Sequence, residues 1–120
     1  MSNYMLFTFL IVIGIILIYL FNKYYAFGLV SGNSMMPEYK SREIFFIKRN
    51  YSLNEGKVYV INVDGYVAIK RLNNIGINQR TAEIKLWFIG DNADNSVDSR
   101  NWGWIEKDRV IGEVVKIWRK

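Results

Sequence analysis

The sequence predicts a mainly β protein, with an N-terminal transmembrane helix followed by a small domain built as a coiled sheet or partial barrel. Residues 1–22 carry no charged side chain, and all 16 Lys and Arg and all 11 Asp and Glu come later in the chain. The remainder contains short runs of β-branched and aromatic residues separated by turn residues, which is typical of strands. We therefore expect a membrane anchor over residues 1–25 and one folded domain over residues 26–120.

The almost wholly apolar segment 5–21 is long enough to cross a bilayer. Spanning a hydrocarbon core of about 30 Å takes ~20 helical residues, and this segment is apolar on every side, unlike a helix that lies on the membrane surface. A cleavable signal peptide is the alternative. It would have a basic start, an apolar run of about 7–15 residues and a small-residue cleavage site. Those features are missing, so the sequence favours a retained anchor.

The orientation of the anchor stays open on charge alone. Lys23, Lys40 and Arg42 follow the span and no basic residue precedes it, which favours a cytoplasmic domain. That tendency weakens for segments longer than about 60 residues, which are translocated largely regardless of charge.

Five runs in the second part of the chain predict strands. The second and third run flank Asp64-Gly65, and a two-residue Asp-Gly link between such runs is a strong hairpin signal. Clusters of Asn and Gly predict loops at 73–78 and 90–103. The predicted strands are residues 43–47, 58–63, 66–72, 84–89 and 110–118.

Lys70 and Arg71 are neighbours in the third of these strands, so their side chains point to opposite faces. If one face is the core, one of the two cations is buried or lies in a cleft, and a buried lysine is costly unless its pKa falls. The alternative is an edge strand that leaves both cations in solvent.

The composition limits the chemistry that an enzyme of this sequence could use. The chain has no Cys and no His, which excludes a cysteine nucleophile, a disulfide framework and a Ser-His-Asp triad. An acid–base catalyst would need Asp, Glu, Lys or Tyr as its base. Ser34 follows the turn-forming Gly32 and Asn33, and such a segment can expose a hydroxyl and backbone N–H groups together.

Three segments resemble the motifs of type I signal peptidases, the membrane-bound Ser/Lys proteases that remove signal peptides from secreted proteins. SGNSMMP at 31–37 is similar to the nucleophile motif S-M-x-P, and IKRL at 69–72 to the K-R motif. GDNADNSVDSRNWG at 90–103 is similar to the long and specific motif G-D-N-x-x-N-S-x-D-S-R-x-x-G. They occur in the family's order behind an apolar N-terminal segment.

The resemblance implies a role for each matching residue. Ser34 would be the nucleophile, with its backbone N–H as one oxyanion donor, and Lys70 would be the general base. Ser96 would orient the lysine amine. The remaining matches imply structural support, by an Asp98–Arg100 ion pair and by Asp91 paired with Arg71. Some relatives carry a second, side-chain oxyanion donor two residues before the nucleophile, but that position is Gly32 here.

The resemblance also implies partners and location. The substrates would be preproteins with small residues at the first and third positions before the cut, bound extended beside a strand edge. The protein would be a single-pass protein of the cell membrane with its domain outside the cytoplasm, and the reaction needs no metal or cofactor. We expect no nucleic-acid partner.

Several alternatives remain at this stage. The short spacing between the second and third motifs suggests a specialised enzyme that processes a pilin or a few plasmid-encoded substrates. A self-cleaving repressor-type Ser/Lys protease would need a DNA-binding domain where the apolar span lies. A non-catalytic, membrane-anchored binding module could use the net charge of +5.

Overall fold

In the computed structural model, which describes residues 2–115, an N-terminal helix leads directly into an antiparallel sheet. Helix α1 spans Asn3–Tyr24, and a one-turn helix α2 spans Ser99–Trp102. This mainly antiparallel fold behind an apolar helix confirms the predicted fold class. The strands are β1 Tyr25–Leu29, β2 Ile44–Lys48, β3 Val58–Val63, β4 Tyr66–Ile77, β5 Ile84–Ile89, β6 Ile105–Glu106 and β7 Val110–Val115.

The strands form one seven-stranded sheet in the order β1-β2-β7-β3-β4-β5-β6. β3 and β4 form the predicted hairpin, with Asp64 and Gly65 at positive φ in the two-residue turn. Positive φ at both central residues is the geometry that matches the right-handed twist of the flanking strands. β4 lies inside the sheet, between β3 and β5, so the edge-strand alternative for Lys70 and Arg71 is wrong.

The two faces of the sheet carry separate clusters of buried residues. One contains Val58 and Val60 of β3 with Met35, and the other contains Tyr59 and Ile61 of β3 with Phe88. Because side chains alternate along β3 and β4, the two cations of β4 fall on different faces. Lys70 lies opposite Tyr59, and Arg71 lies opposite Val58.

Helix α1 is long and apolar enough to cross a membrane, and none of its residues is buried within the protein. Its last turn contacts the sheet through Phe21, whose ring lies 5.2 Å from Phe27 and 5.8 Å from Phe46, centroid to centroid. Arg49 donates its backbone N–H to Tyr24 O at 2.8 Å and its Nε to Asn22 O at 3.2 Å. Packing and hydrogen bonds therefore join the helix to β1 and β2.

Some element boundaries differ from the sequence predictions. β4 continues to Ile77, through the segment predicted as a loop, because a register shift between Leu72 and Asn74 absorbs an extra residue and lets pairing with β5 resume. Tyr25–Leu29 and the two-residue β6 were not predicted as strands. The end of the strand predicted at 110–118 lies outside the described residues.

Candidate active site

Lys70 is the buried cation among residues 2–115, with 1% of its surface exposed. Its Nζ donates a hydrogen bond to Ser96 Oγ at 3.2 Å, and Lys70 takes part in none of the ion pairs among residues 2–115. Burial lowers the pKa of Lys70, and the nearby Arg100 lowers it further, while the carboxylate of Asp98 opposes both effects. The amine is therefore biased towards its neutral form, which can accept a proton.

Ser96 connects Lys70 to a fully buried carboxylate. Its Oγ accepts from Lys70 and donates to Asp98 Oδ2 at 2.9 Å. Arg100 holds the same carboxylate with two guanidinium contacts of 2.9 and 2.7 Å, and the N–H of Gly90 donates to it at 2.8 Å. Although burial acts in the opposite direction, these hydrogen bonds keep the pKa of Asp98 well below its usual range. Asp98 therefore stays ionised and fixes the direction of the Ser96 hydroxyl.

Arg71, on the opposite face, is held by a bidentate ion pair. Its Nε and Nη2 donate to the two carboxylate oxygens of Asp91 at 2.7 and 2.6 Å, and its Nη1 donates to Gly56 O at 2.6 Å. Hydrogen bonding to Asp91 raises the pKa of Arg71. The pair links β4 to the start of the segment 90–103.

The motif at residues 31–37, called the Ser34 loop from here on, lies between β1 and β2 and is attached to that same segment. The backbone N–H of Asn92 donates to Ser34 O at 2.8 Å, and Asn92 Nδ2 donates to Asn33 O at 3.0 Å. Met35 is buried beneath the loop and accepts a contact from the N–H of Asp91 at 3.5 Å. Ser34 itself is half-buried. The structure thus brings the motif that contains Ser34 against the motif that orients Lys70.

Gly90 lies where the Ser34 loop, Ser96 and the start of the segment 90–103 come close together. A Cβ on this residue would lie 2.1 Å from Ser96 Oγ and 2.8 Å from Ser34 O. No side chain larger than hydrogen fits there without displacing Ser96 or the Ser34 loop. The glycine is therefore required by a close approach of backbone and side chain.

The seven residues singled out from the sequence fall into one connected group. Ser96, Asp98 and Arg100 contact one another on the Lys70 side, and Asp91 contacts Arg71 on the other. Ser34 joins through its main chain, because no hydrogen bond between Ser34 Oγ and Lys70 Nζ is present among the described residues.

Two further residues hold the site together and were not singled out from the sequence. Asn92 attaches the Ser34 loop, as described above. Ser99 is fully buried, and its Oγ accepts the N–H of Phe88 at 2.9 Å, so it fixes α2 against β5. Both lie in the G-D-N-x-x-N-S-x-D-S-R motif, which could have indicated them from the sequence. The motif alone does not say which of its polar side chains contact the Ser34 loop or the strands.

The described residues, 2–115, contain no group of three or more His, Cys, Asp or Glu side chains arranged to hold a metal ion. The chemistry available in this group of residues is that of an amine whose pKa is lowered by burial, serine hydroxyls and backbone N–H groups. Such a set can carry out acyl transfer.

Comparisons with known proteins point to the same chemistry. Residues 18–115 match the family model described as Peptidase S24-like. A signal peptidase I of Buchnera aphidicola subsp. Schizaphis graminum is 31% identical over 83 residues, which cover 62% of this chain and 26% of that protein. The signal peptidase I of subsp. Baizongia pistaciae is 53% identical over 34 residues, covering 28% of this chain and 11% of the relative.

The corresponding protein of subsp. Acyrthosiphon pisum is 47% identical over 32 residues, covering 27% of this chain and 10% of the relative. The matched regions thus span about a quarter or less of the length of these curated relatives. The family model, by contrast, covers most of the chain. This chain belongs to the Peptidase S24-like family and is type I signal peptidase-like.

Proposed function

We propose that this protein is a membrane-anchored serine endopeptidase that removes signal peptides from exported preproteins, with Ser34 as nucleophile and Lys70 as general base. Membership of the family supports a peptidase function. The observation that carries the finer proposal is the state of Lys70: buried, hydrogen-bonded to Ser96, and adjacent to the segment against which the Ser34 loop lies.

Lys70 has to be neutral to act as a base, and the surroundings of its amine favour the neutral form. Free lysine has a pKa of about 10.4, and each unit by which that pKa falls costs about 1.36 kcal/mol. Burial supplies this cost, and Arg100 adds to it. Because Asp98 is engaged by Arg100, Gly90 and Ser96, it forms no ion pair with Lys70 that would restore the charge.

The proposed reaction is acyl transfer in two halves. Neutral Lys70 accepts the proton of the Ser34 hydroxyl while Oγ bonds to the scissile carbonyl carbon, and the carbonyl π pair moves onto its oxygen. The backbone N–H of Ser34 stabilises that oxyanion. Collapse of the intermediate breaks the C–N bond, and the leaving amine takes the proton from Lys70. Lys70 then takes a proton from water as the water oxygen bonds to the acyl carbon, the bond from that carbon to Ser34 Oγ breaks, and Ser34 Oγ takes the proton from Lys70 as the carboxylic acid leaves.

Ser34 and Lys70 share no hydrogen bond in the substrate-free protein, which is compatible with this mechanism. Catalytic hydrogen bonds are often long before substrate binds and shorten in the reacting complex. Asn92 holds the loop through two main-chain carbonyls, and Met35 holds it through a contact of its sulfur with the Asp91 N–H. The Ser34 side chain therefore keeps rotational freedom until substrate is bound.

We propose residues 1–25 as the anchor and residues 26–120 as the peptidase domain. One face of the first two strands carries the exposed side chains of Phe27, Leu29 and Ile44, immediately after α1. This apolar surface continues from the helix and supports a location at the membrane surface. Substrates reach such an enzyme after translocation, so the domain would lie outside the cytoplasm, anchored by the single span in the cell membrane.

The substrates would be preproteins with small residues at the first and third positions before the cut. The test is cleavage of such a preprotein by the full chain in detergent, comparing wild type with Ser34→Ala and Lys70→Met. Lys107→Met is the matched control, because Lys107 is exposed and lies outside all three motifs. We expect both site variants to lose at least about 10³-fold in rate, and the control to match wild type.

A wild-type rate in both Ser34→Ala and Lys70→Met would exclude the dyad. The pH profile adds a second criterion: kcat/KM should rise with pH through an apparent pKa below that of free lysine, because only neutral Lys70 can accept the proton. A C-terminal tag that resists external protease in spheroplasts would exclude a domain outside the cytoplasm.

A further inference from the structure

The oxyanion site of the proposed reaction depends on the main chain of the Ser34 loop. Gly32 has no side chain that could donate a hydrogen bond, so the direction of the Ser34 N–H decides how well a developing negative charge is stabilised. That N–H donates no hydrogen bond to any residue among 2–115. The contacts that fix the direction of the Ser34 N–H should therefore affect the rate of the proposed reaction.

Asn92 holds both peptide groups that flank the Ser34 Cα. Its side-chain Nδ2 donates to Asn33 O at 3.0 Å, and its backbone N–H donates to Ser34 O at 2.8 Å. Within the loop, the N–H of Met36 also donates to Asn33 O, at 3.2 Å. The Met36–Asn33 bond is a turn hydrogen bond within the loop, whereas Asn92 attaches both peptide groups to the segment 90–103, beside the contact of the Asp91 N–H with Met35.

Because the peptide group between Asn33 and Ser34 is trans, a contact that holds its carbonyl also fixes the direction of its N–H. The carbonyl and the N–H of one peptide group point in opposite directions across a rigid plane. The Asn33–Ser34 bond is trans, since the cis peptide of residues 2–115 is Met36–Pro37. Holding Asn33 C=O towards Asn92 therefore aims the Ser34 N–H away from it.

We propose that Asn92 is a positioning residue, whose side-chain amide fixes the Asn33–Ser34 peptide plane and so sets the direction of the oxyanion donor. This inference rests on the proposed function. Asn92 touches neither the nucleophile's hydroxyl nor the base. It acts through the peptide plane of the one oxyanion donor identified in the loop.

The test compares Asn92→Asp and Asn92→Ala with wild type, using the full chain in detergent and a short peptide substrate. Asn92→Asp keeps the size of the side chain and the backbone hydrogen bond to Ser34 O, but a carboxylate cannot donate to Asn33 O. Asn95→Ala is the matched control, because Asn95 is an exposed amide in the same segment whose side chain makes no hydrogen bond to residues 2–115.

We expect kcat to fall about 10- to 100-fold in both Asn92 variants with KM within about twofold of wild type, because the direct loss of an oxyanion donor costs about 10²- to 10³-fold and a misdirected donor costs less. Asn92→Ala should show this loss at every pH, with the apparent pKa of the profile unchanged, since Lys70 is not affected. A peptide aldehyde, whose adduct with Ser34 carries the same oxyanion, should bind more weakly by a similar factor.

Three results would overturn the positioning role: a kcat within threefold of wild type in Asn92→Asp, a loss confined to KM, or a failure of both variants to fold, which would assign Asn92 to the loop as a whole. The proposed function fails separately. Activity in Ser34→Ala would exclude it, whereas fully active Asn92 variants beside an inactive Ser34→Ala would exclude only the inference.

Discussion

Lys70 and Arg71 are adjacent cations in one strand, but they differ in burial and in ion pairing. Lys70 lies in the buried face of β4, with one hydrogen bond to a hydroxyl and no ion pair among residues 2–115. Arg71 lies in the other face, half-buried, with both oxygens of Asp91 bound to it. Lys70 thus has no ion-pair partner among residues 2–115, whereas Arg71 is paired with the carboxylate of Asp91.

The difference follows from the two-residue period of a strand and from where the acids are placed. The segment 90–103 passes over both faces of β4 and supplies a hydroxyl to one cation and a carboxylate to the other. Asp98, the acid to which Ser96 is hydrogen-bonded, is occupied by Arg100, so it orients Ser96 and forms no ion pair with Lys70. The proposed base Lys70 and the ion-paired Arg71 therefore differ in the face of β4 that they occupy and in the partner that the segment 90–103 supplies.

The largest loss of activity is expected when Lys70 is replaced by arginine. Lys70→Arg retains the positive charge, but a guanidinium stays protonated and cannot act as a base. We expect preprotein cleavage to fall by about 10²- to 10⁴-fold. Arg71→Lys, the matched reverse change, weakens a bidentate contact and leaves the base intact, so its rate should stay within about tenfold of wild type. Equal losses in the two variants would contradict the distinction between them.

Gly90→Ala should disturb the surroundings of Lys70 and leave the Arg71–Asp91 ion pair largely intact. The added Cβ would lie 2.1 Å from Ser96 Oγ, the hydrogen-bond partner of Lys70, and 2.8 Å from Ser34 O. Displacement of catalytic groups by about 1 Å costs roughly 10²-fold in rate, and we expect a loss of that size in kcat.

Gly14→Ala is the control for Gly90→Ala, since a Cβ there meets nothing within 4 Å. Circular dichroism of both variants, recorded beside the rates, separates a local displacement from a failure to fold. A folded Gly90→Ala protein with the wild-type kcat would contradict the close approach at this position.

The alternation in 66–72 predicted that the two cations face opposite ways, and the Asp-Gly pair predicted the hairpin that places them. The pattern could not choose which cation is buried, because this depends on the position of β4 inside the sheet and on contacts with residues far along the chain. Lys70 and Ser96, for example, are 26 residues apart.

The extension of β4 through Asn73 and Asn74 was missed for a similar reason. Asn and Gly favour loops locally, but a register shift and pairing with β5 override that preference. For the site, the motif resemblance supplied Ser34, Lys70, Ser96 and the acids. The attachment of the Ser34 loop by Asn92 is a tertiary contact across 59 residues, which neither propensity nor periodicity reports.

Lys70→Met should make the protein more stable at neutral pH. The pKa of Lys70 is lowered in the folded state, so below that pKa the protein bears the full cost of a buried charge, and the cost disappears as pH rises towards the pKa of free lysine. An apolar side chain avoids the cost at every pH. We expect Lys70→Met to gain roughly 1–2 kcal/mol at pH 7, in the range found when buried ionic groups are replaced by apolar ones.

The measurement is the difference in Tm between Lys70→Met and wild type from pH 6 to pH 10.5, with Lys107→Met as the exposed control. The gain should be largest at the acidic end and shrink as pH rises, because wild type then loses its buried charge. A variant that is less stable than wild type at pH 7 would show that Lys70 is held as a favourable cation, in conflict with its role as a base.

The Arg71–Asp91 pair should give the smallest effect, and a double-mutant cycle measures it. Arg71→Met, Asp91→Asn and the double variant are compared by urea unfolding, and the side chains of the pair are 30% and 17% exposed. Solvent screening limits a pair of this exposure, so we expect a coupling energy of about 0.5–1 kcal/mol in spite of its bidentate geometry. The contact of Asp91 with Met35 is made by the backbone N–H, so Asp91→Asn and Arg71→Met both leave it in place. The two variants should therefore lower kcat only slightly and to a similar extent, and neither should move the apparent pKa of the pH profile. A coupling above about 3 kcal/mol would contradict the expected solvent screening of the pair. A shifted apparent pKa would mean that the two faces of β4 are not independent, and the division between a proposed base and a structural cation would have to be abandoned.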